Sequence, residues 1–359
     1  MVNDQIVNIK RMFDSNALWL SMLIGALGYK LFLPLSPVLP WLIFFMLFFT
    51  FCKVNPMDLR LHKWHWVVLF VQIFLSFATY AGVLALTRNR ILAQGLLMCF
   101  IMPTATAAPI IAGKMGGSIQ NLTTFTLLSN FATAIIVPLT FPLITSDLSI
   151  LNSQFSIPNS QFSILNSQFS ILNSQFLPAF LLILSRIAPL LLGPFFSAWL
   201  LRLGYKWRTK KEFVLPVKIA VVPFYLWVAS IVVLTAVVTQ TVLSSLDLYL
   251  SSMVILLVCS FFACLLQFGL GKLIGWYLPA PSKGTDYQDV LINPAAAPKT
   301  KQGVSSITAG QAFGQKNTSL GVWMAQTYLD PISALGAAAY ILWQNIFNSV
   351  QLTIAAHKK

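Results

Sequence analysis

"GQAFGQKNTSLGVW", Gly310–Trp323, is a polar stretch inside an otherwise apolar segment. A lysine at the centre of a membrane helix costs about 2.5–3.5 kcal/mol on insertion scales, so it rarely faces lipid. Lys316 lies in the middle of this stretch, between Gln315 and Asn317. The stretch therefore predicts a membrane segment whose polar centre faces protein or a water-filled cavity.

The composition of the whole chain is typical of a membrane protein. Of its 359 residues 57% are hydrophobic and only 9% are charged, whereas soluble proteins carry about 25% charged residues. The net charge is +14, but no basic and aromatic residues alternate on a polar background, so no nucleic-acid partner is expected. No nucleophile–base pair, metal cluster or phosphate-binding loop is evident, so no enzymatic activity is expected. The lipid bilayer is the predicted environment.

A membrane helix needs about 20 apolar residues, and ten segments of the chain meet this requirement. The predicted spans, numbered one to ten in chain order, are residues 17–36, 37–53, 65–87, 91–113, 121–145, 177–201, 214–240, 249–278, 303–327 and 331–355.

The lysines and arginines orient these spans. If the N-terminus is inside, 17 of the 23 basic residues fall in inside segments and three fall outside, namely Lys30, Arg88 and Arg90. This bias follows the positive-inside rule and predicts both termini in the cytoplasm. Two halves of five spans each enter the membrane from opposite sides, which predicts an inverted repeat, a common plan of secondary transporters. The first repeat is assigned to residues 1–146 and the second to 177–359.

A heptapeptide repeat separates the halves. "NSQFSIL" recurs from Asn152, Asn159, Asn166 and Asn173, within residues 147–176. Flanking charges are missing and Pro158 interrupts the pattern, so a coiled coil is not favoured. The near-identical copies indicate a tandem duplication that expands an outside loop, and a functional role is not expected. Its polar and aromatic composition leaves a strand-like or adhesive segment as the alternative.

Spans four and nine are interrupted at corresponding positions of the two halves. Span four reads "GLLMCFIMPTATAAPIIAGKMGG", where prolines break the helical hydrogen bonds. Paired interruptions in inverted halves point to a binding site near the membrane midplane, because unwound backbone cannot face lipid. The predicted site combines Pro103, Thr104, Thr106 and Pro109 of span four with Gly314, Gln315, Lys316, Asn317, Thr318 and Ser319 of span nine.

These segments resemble the bile acid:sodium symporter family. "GQKNTSLG" is similar to the family signature G-x-Q-N-x-x-L-A, and "PTATAAP" to its P-G-G-T-A-S-N turn. "TLLSNFATAIIVPLTFPL" of span five is similar to the family segment that ends in paired prolines. The resemblance implies an all-α protein of the bacterial inner membrane, with ten transmembrane helices in two inverted five-helix repeats and with helices 4 and 9 broken and crossing. It implies a core domain of spans 3–5 and 8–10 and a panel domain of spans 1, 2, 6 and 7.

The resemblance also implies sodium-driven uptake of organic anions, but several expected sodium ligands are replaced. Lys316 stands where the family has a glutamine, and Ala312 where it has a glutamate. The span-four turn has Ala108 and Pro109 in place of serine and asparagine. Thr126 and Asn130 on span five would keep the polar character of another ligand position. No confident metal site or resident cofactor is therefore predicted, and a bound sodium ion is a doubtful expectation.

Three roles for Lys316 remain open at this point. Its ammonium could replace sodium, it could exchange a proton because burial favours a neutral amine, or it could bind the carboxylate or sulfonate of a substrate. All nine acidic residues lie in termini, loops or span edges, which disfavours a sodium/proton antiporter. The sequence predicts a secondary transporter of a small organic anion, sodium-independent or proton-coupled. The alternatives are a conventional sodium symporter and a non-transporting receptor or scaffold.

Overall fold

The computed structural model describes residues 17–54, 59–145, 168–216, 219, 221–280 and 301–357, with backbone only for 168–175, 356 and 357. Two short 3₁₀ segments lie at Leu33–Val38 and Pro331–Ser333. The α-helices are α1 Ala17–Leu27, α2 Tyr29–Phe32, α3 Leu39–Phe51, α4 Lys63–Thr87, α5 Arg90–Ile101, α6 Ala108–Lys114, α7 Ile119–Ile144, α8 Gln168–Thr209, α9 Val222–Tyr277, α10 Lys301–Gly314, α11 Thr318–Tyr328 and α12 Ala334–His357.

The helices confirm an all-α protein with the properties of an integral membrane protein. Within the ranges given above there is no β-strand, only an isolated backbone bridge. Five segments are long and apolar enough to cross a membrane, namely Tyr29–Phe51, Lys63–Thr87, Ile119–Ile144, Phe176–Thr209 and Val222–Tyr277. Large apolar side chains on these helices are exposed, with Leu86 at 87% and Leu248 at 79%, as lipid-facing residues would be.

Helix bounds match the predicted spans closely for α4 and α7 and differ near the start of the chain. Two spans were predicted at 17–36 and 37–53, whereas the structure turns at Gly28 and continues through Tyr29–Phe51 with a 3₁₀ segment at Leu33–Val38. Pro34 and Pro37 explain that segment, because proline removes the amide that an α-helical hydrogen bond needs.

The range given for α9 contains two helices that meet at a kink. Spans were predicted at 214–240 and 249–278. The first helix continues through 241–248, and the kink lies at Tyr249, whose angles are non-helical (φ −127°, ψ 15°). The intervening residues contain no glycine or proline, so nothing in them stops the helix. The hydroxyls of Thr241 and Ser244 donate to carbonyls of their own helix.

Helix α8 begins inside the region assigned to the heptapeptide repeat. Residues 168–176 are helical, so the predicted loop insert of 147–176 extends too far toward the C-terminus. These residues, "QFSILNSQF", contain no glycine or proline and can continue the apolar helix that follows. Residues 147–167 of the insert lie outside the described residues.

The chain divides into two compact units. The first comprises Met1–Val54 and Pro194–Leu250, and the second Asn55–Gly193 and Ser251–Lys359. In the first unit, Arg202 Nη1 donates to the Cys52 carbonyl at 2.9 Å, and the Phe51 and Phe195 rings meet edge to face at 5.8 Å. Spans four and nine both lie in the second unit.

The second unit packs its short helices closely around an apolar core. Trp64 of α4, Phe125 of α7 and Phe313 of α10 belong to one buried cluster. Helices α5 and α12 approach so closely that a Cβ at Gly336 would collide with the backbone of Gly95. This packing holds the interrupted helices in the interior of the unit.

Candidate functional site

The first interruption separates α5 from α6. Helix α5 ends at Ile101 and α6 begins at Ala108, so residues 102–107 are non-helical. Pro103 lies in this interruption, as predicted, and it supplies no amide to continue α5. Pro109 lies outside the interruption, because it occupies the first turn of α6, where a proline leaves no helical hydrogen bond unmade. The non-helical segment therefore ends at residue 107, before Pro109.

The second interruption separates α10 from α11 by three residues. Helix α10 ends at Gly314 and α11 begins at Thr318. Asn317 caps α11, because its Oδ1 accepts a hydrogen bond from the Leu320 amide at 3.3 Å. An asparagine in this position satisfies one of the free amides at a helix start. The sequence "GQKNTSLG" thus contains both a helix end and a helix start.

Main-chain hydrogen bonds join the two interruptions. Thr104 and Lys316 form an antiparallel bridge, in which the Ala105 amide donates to the Gln315 carbonyl at 2.9 Å and the Asn317 amide to the Pro103 carbonyl at 2.7 Å. The Thr104 hydroxyl donates to the carbonyl of Ala312 at 2.7 Å. The main-chain amides and carbonyls of the two non-helical segments therefore hydrogen-bond to each other in the protein interior.

Side chains from three helices hold the first interruption. Ser129 Oγ on α7 accepts from the Thr104 amide at 2.8 Å. Gln72 Nε2 on α4 donates to the Met102 carbonyl at 3.0 Å, and Gln267 Nε2 on α9 to the Cys99 carbonyl at 3.1 Å. Both glutamines therefore make hydrogen bonds between helices. Ser129 was missed, although it is next to Asn130 in the same polar run.

One face of α12 holds the second interruption. Tyr340, Gln344 and Asn348 are four residues apart, so they lie on one side of the helix. The Tyr340 hydroxyl donates to the Gly314 carbonyl at 2.7 Å, and Gln344 Oε1 accepts from the Lys316 amide at 3.0 Å. Asn348 Oδ1 accepts from Gln311 Nε2 at 3.1 Å. A four-residue spacing of polar residues in an apolar helix was the signal that would have identified this face.

The side chain of Lys316 is enclosed by protein. The residue is only 1% exposed, and no described residue offers a hydrogen-bond partner to its Nζ. The ring of Phe313 lies beneath it, with 5.0 Å between Nζ and the ring centroid. Lys316 was predicted to lie within reach of the span-four turn, and its backbone bridge with Thr104 gives this proximity.

The structure brings most of the predicted site residues to this bridge. Thr318 and Ser319 are buried in the first turn of α11, whereas Thr106 is half-buried. Thr126 and Asn130 are buried on α7 and bond within that helix, through the Leu122 and Thr126 carbonyls. They flank Ser129, which makes the direct contact to Thr104.

No protein-family model and no curated protein matches this chain. Function is therefore inferred from the groups that the two interruptions leave free.

Three buried donors near the two interruptions have no hydrogen-bond partner within the described part of the chain. They are Lys316 Nζ, Asn317 Nδ2 and Asn348 Nδ2, and the first two belong to the segment that starts α11. The amides at the start of a helix and its dipole attract negative charge. Five buried acceptors also lack a partner among the described residues, namely Gln72 Oε1, Asn130 Oδ1, Gln267 Oε1, Gln311 Oε1 and Gln315 Oε1. A lysine, an asparagine amide and a helix start together form a set suited to an anionic group.

Proposed function

We propose that this protein is a secondary active transporter of a small organic anion, such as a carboxylate or sulfonate, that works by alternating access without sodium. The observation that carries the proposal is the buried, unpartnered Nζ of Lys316 beside two bridged helix interruptions. A buried charged or polar group without a partner is costly, and it is retained mostly where function needs it. An anion that enters this site would supply the missing partner.

The arrangement of the interruptions supports a transporter over a passive scaffold. Broken helices that expose backbone groups and a helix start in the membrane interior are a recurrent feature of transporter sites. The proposal includes the finer architecture expected from the sequence, with ten helices in two inverted repeats and divergent membership of the bile acid:sodium symporter family. The division into two units supports part of the proposed core and panel domains, because α1–α3 fall in one unit and α4–α7 and α10–α12 in the other. Span six of the proposed panel domain is divided between the units after Gly193.

The residues at the site support sodium independence. No described carboxylate is buried, and Ala312 provides no side-chain oxygen where the resembling family has a glutamate. Lys316 provides no side-chain oxygen either, because its side chain ends in a nitrogen that has no acceptor oxygen. Without a carboxylate among them, the remaining oxygen acceptors are a poor set of ligands for a sodium ion.

The test measures the apparent melting temperature of the purified protein in sodium chloride and in choline chloride. Taurocholate, cholate and a panel of short carboxylates are added to each, because a ligand of the folded state raises apparent stability. Stabilisation by an anion in choline chloride supports the proposal, and uptake of that anion into proteoliposomes then establishes transport. A strict requirement for sodium would identify a conventional sodium symporter instead.

Two variants make this test specific for the site. Lys316→Gln removes the buried amine, and Lys301→Gln removes an exposed lysine at the start of α10. We expect the anion to stabilise the Lys301 variant as it does the wild type, and to leave the Lys316 variant unaffected. An anion that binds but is not taken up would indicate a receptor or scaffold.

A further inference from the structure

The amine of Lys316 has no structural task at the bridge between the interruptions. That bridge consists of main-chain bonds from Ala105 to Gln315 and from Asn317 to Pro103, together with the Thr104 hydroxyl. Lys316 takes part through its backbone, whose amide donates to Gln344 and whose carbonyl accepts from the Thr318 amide at 3.0 Å. The side-chain amine does not replace an ion that ties the half-helices together, because the backbone already ties them.

Among the described residues, the surroundings of the amine provide no negative charge. The titratable groups on the neighbouring helices are Cys99 on α5, Cys259 and Cys264 on α9, and Tyr340 on α12. Thiols and phenols are neutral at ordinary pH.

Both nitrogens of the buried imidazole on α4 already have hydrogen-bond partners. His65 Nδ1 accepts from the His62 amide at 2.9 Å, and its Nε2 then donates to the Asn121 carbonyl at 3.0 Å. The three acidic residues in the described part of the chain are Glu212, Asp247 and Asp330, and none of them is buried.

Within the described part of the chain, the attraction of the Phe313 ring is the one favourable contact that a charged amine would have. A cation above an aromatic face at 5.0 Å gains far less than an ion loses when it leaves water. A group in this situation gives up its proton rather than remain charged. When an anion binds beside it, the charged form gains a partner and the proton is retained.

On the basis of the proposed function, we infer that Lys316 couples the transported anion to a proton. In the empty, closed site the side chain is a neutral amine. The amine, one proton from solution and the anion combine to give an ammonium–anion pair, so the net charge of the site is unchanged by the entry of both. Release of the anion on the other side of the membrane releases the proton with it. The coupled process is one-to-one proton–anion symport.

This coupling has a thermodynamic consequence that is measurable without transport. If the anion promotes protonation, protonation must promote anion binding by the same factor. For one linked proton, the affinity for the anion rises about tenfold for each unit that the pH falls, while the empty amine is neutral. Taurocholate is a suitable probe, because its sulfonate stays ionised and cannot itself cause this dependence.

The experiment adds taurocholate to the detergent-solubilised protein in weakly buffered, sodium-free solution that contains a pH indicator. We expect uptake of about one proton per anion bound, and an affinity about a hundredfold higher at pH 6 than at pH 8. Lys301→Gln should behave as the wild type does, and Lys316→Gln should take up no proton. Lys316→Arg keeps a charge that is not released, so any anion binding by this variant should be independent of pH.

The outcomes separate this inference from the proposed function. Anion binding without proton uptake and with constant affinity overturns proton coupling but leaves a sodium-independent anion transporter. Proton uptake that persists in Lys316→Gln also overturns it, since another group must then carry the proton. If neither taurocholate nor any anion of the panel binds, the proposed function fails as well.

Discussion

The hydroxyl of Tyr340 donates to the carbonyl of Gly314 at 2.7 Å, where α10 ends. A glycine fits at position 314 because any Cβ there would collide with the Phe268 ring. The carbonyl and the phenol are both buried, and the phenol also has a side-chain contact with the thiol of Cys264.

The substitution Tyr340→Phe should lower the free energy of unfolding by about 1–3 kcal/mol, because it leaves a buried carbonyl without a donor. Thermal unfolding in detergent measures this effect. Tyr277→Phe is the control, as Tyr277 is 76% exposed, and it should unfold as the wild type does. Equal stability of both variants would contradict the bond between Tyr340 and Gly314.

Replacement of Lys316 by methionine should raise the stability of the ligand-free protein by about 1–3 kcal/mol, since a buried polar group without a partner is removed and the volume is retained. The same variant should no longer be stabilised by an anion. A gain in stability with a loss of function is typical of residues kept for activity. Lys301→Met, at an exposed position, should change neither property, and a destabilised Lys316→Met would reveal a structural partner of the amine.

Two buried serines provide a matched pair for testing how the first interruption is held. Ser129 accepts from the Thr104 amide of another segment, whereas Ser260 donates to the Leu257 carbonyl of its own helix at 2.8 Å. We expect Ser129→Ala to cost about 1–3 kcal/mol through the orphaned amide, and Ser260→Ala to cost less than about 1 kcal/mol. Melting curves of the two variants that coincide would show that Ser129 is not needed at the interruption.

Gly321 allows α11 to pass the sulfur of Met102, with which a Cβ would collide. Gly321→Ala should therefore destabilise the protein by about 1–3 kcal/mol, the usual cost of overpacking. Gly82→Ala on α4, where a Cβ meets no atom within 4 Å, should be neutral or stabilise by up to about 1 kcal/mol. Shortening Met102 in the Gly321→Ala background should restore part of the loss, and no recovery would mean that the collision is elsewhere.

The sequence predicts helices and their interruptions well because these depend on local features. Runs of apolar residues predict α4 and α7 within a few residues, and Pro103 and the polar run around Lys316 predict the two breaks. Pro109 shows the limit of the proline argument, since a proline after a break starts a helix as readily as it ends one. The ten-span inverted arrangement and the identity of the transported anion remain predictions.

The partners of the unwound backbone could not be predicted from sequence in the same way. Ser129 and Gln344 bond to the amides of Thr104 and Lys316, and every residue has such an amide. No residue type at the interruption therefore signals which distant helix supplies its partner. A polar side chain in an apolar helix indicates that some partner exists, but only the packing of α7 and α12 determines which one.

The main-chain bridge between residues 103–105 and 315–317 connects the two interruptions through backbone atoms, so the connection does not depend on which side chains the site carries. Its amide and carbonyl atoms are present whatever side chains these positions carry, except that the Ala105 and Asn317 positions must not be proline. Side chains here can thus be exchanged over evolutionary time without loss of the connection. Under the proton coupling proposed for Lys316, a single substitution at this position in a descendant or engineered protein would change the coupling ion while the main-chain bridge stays in place.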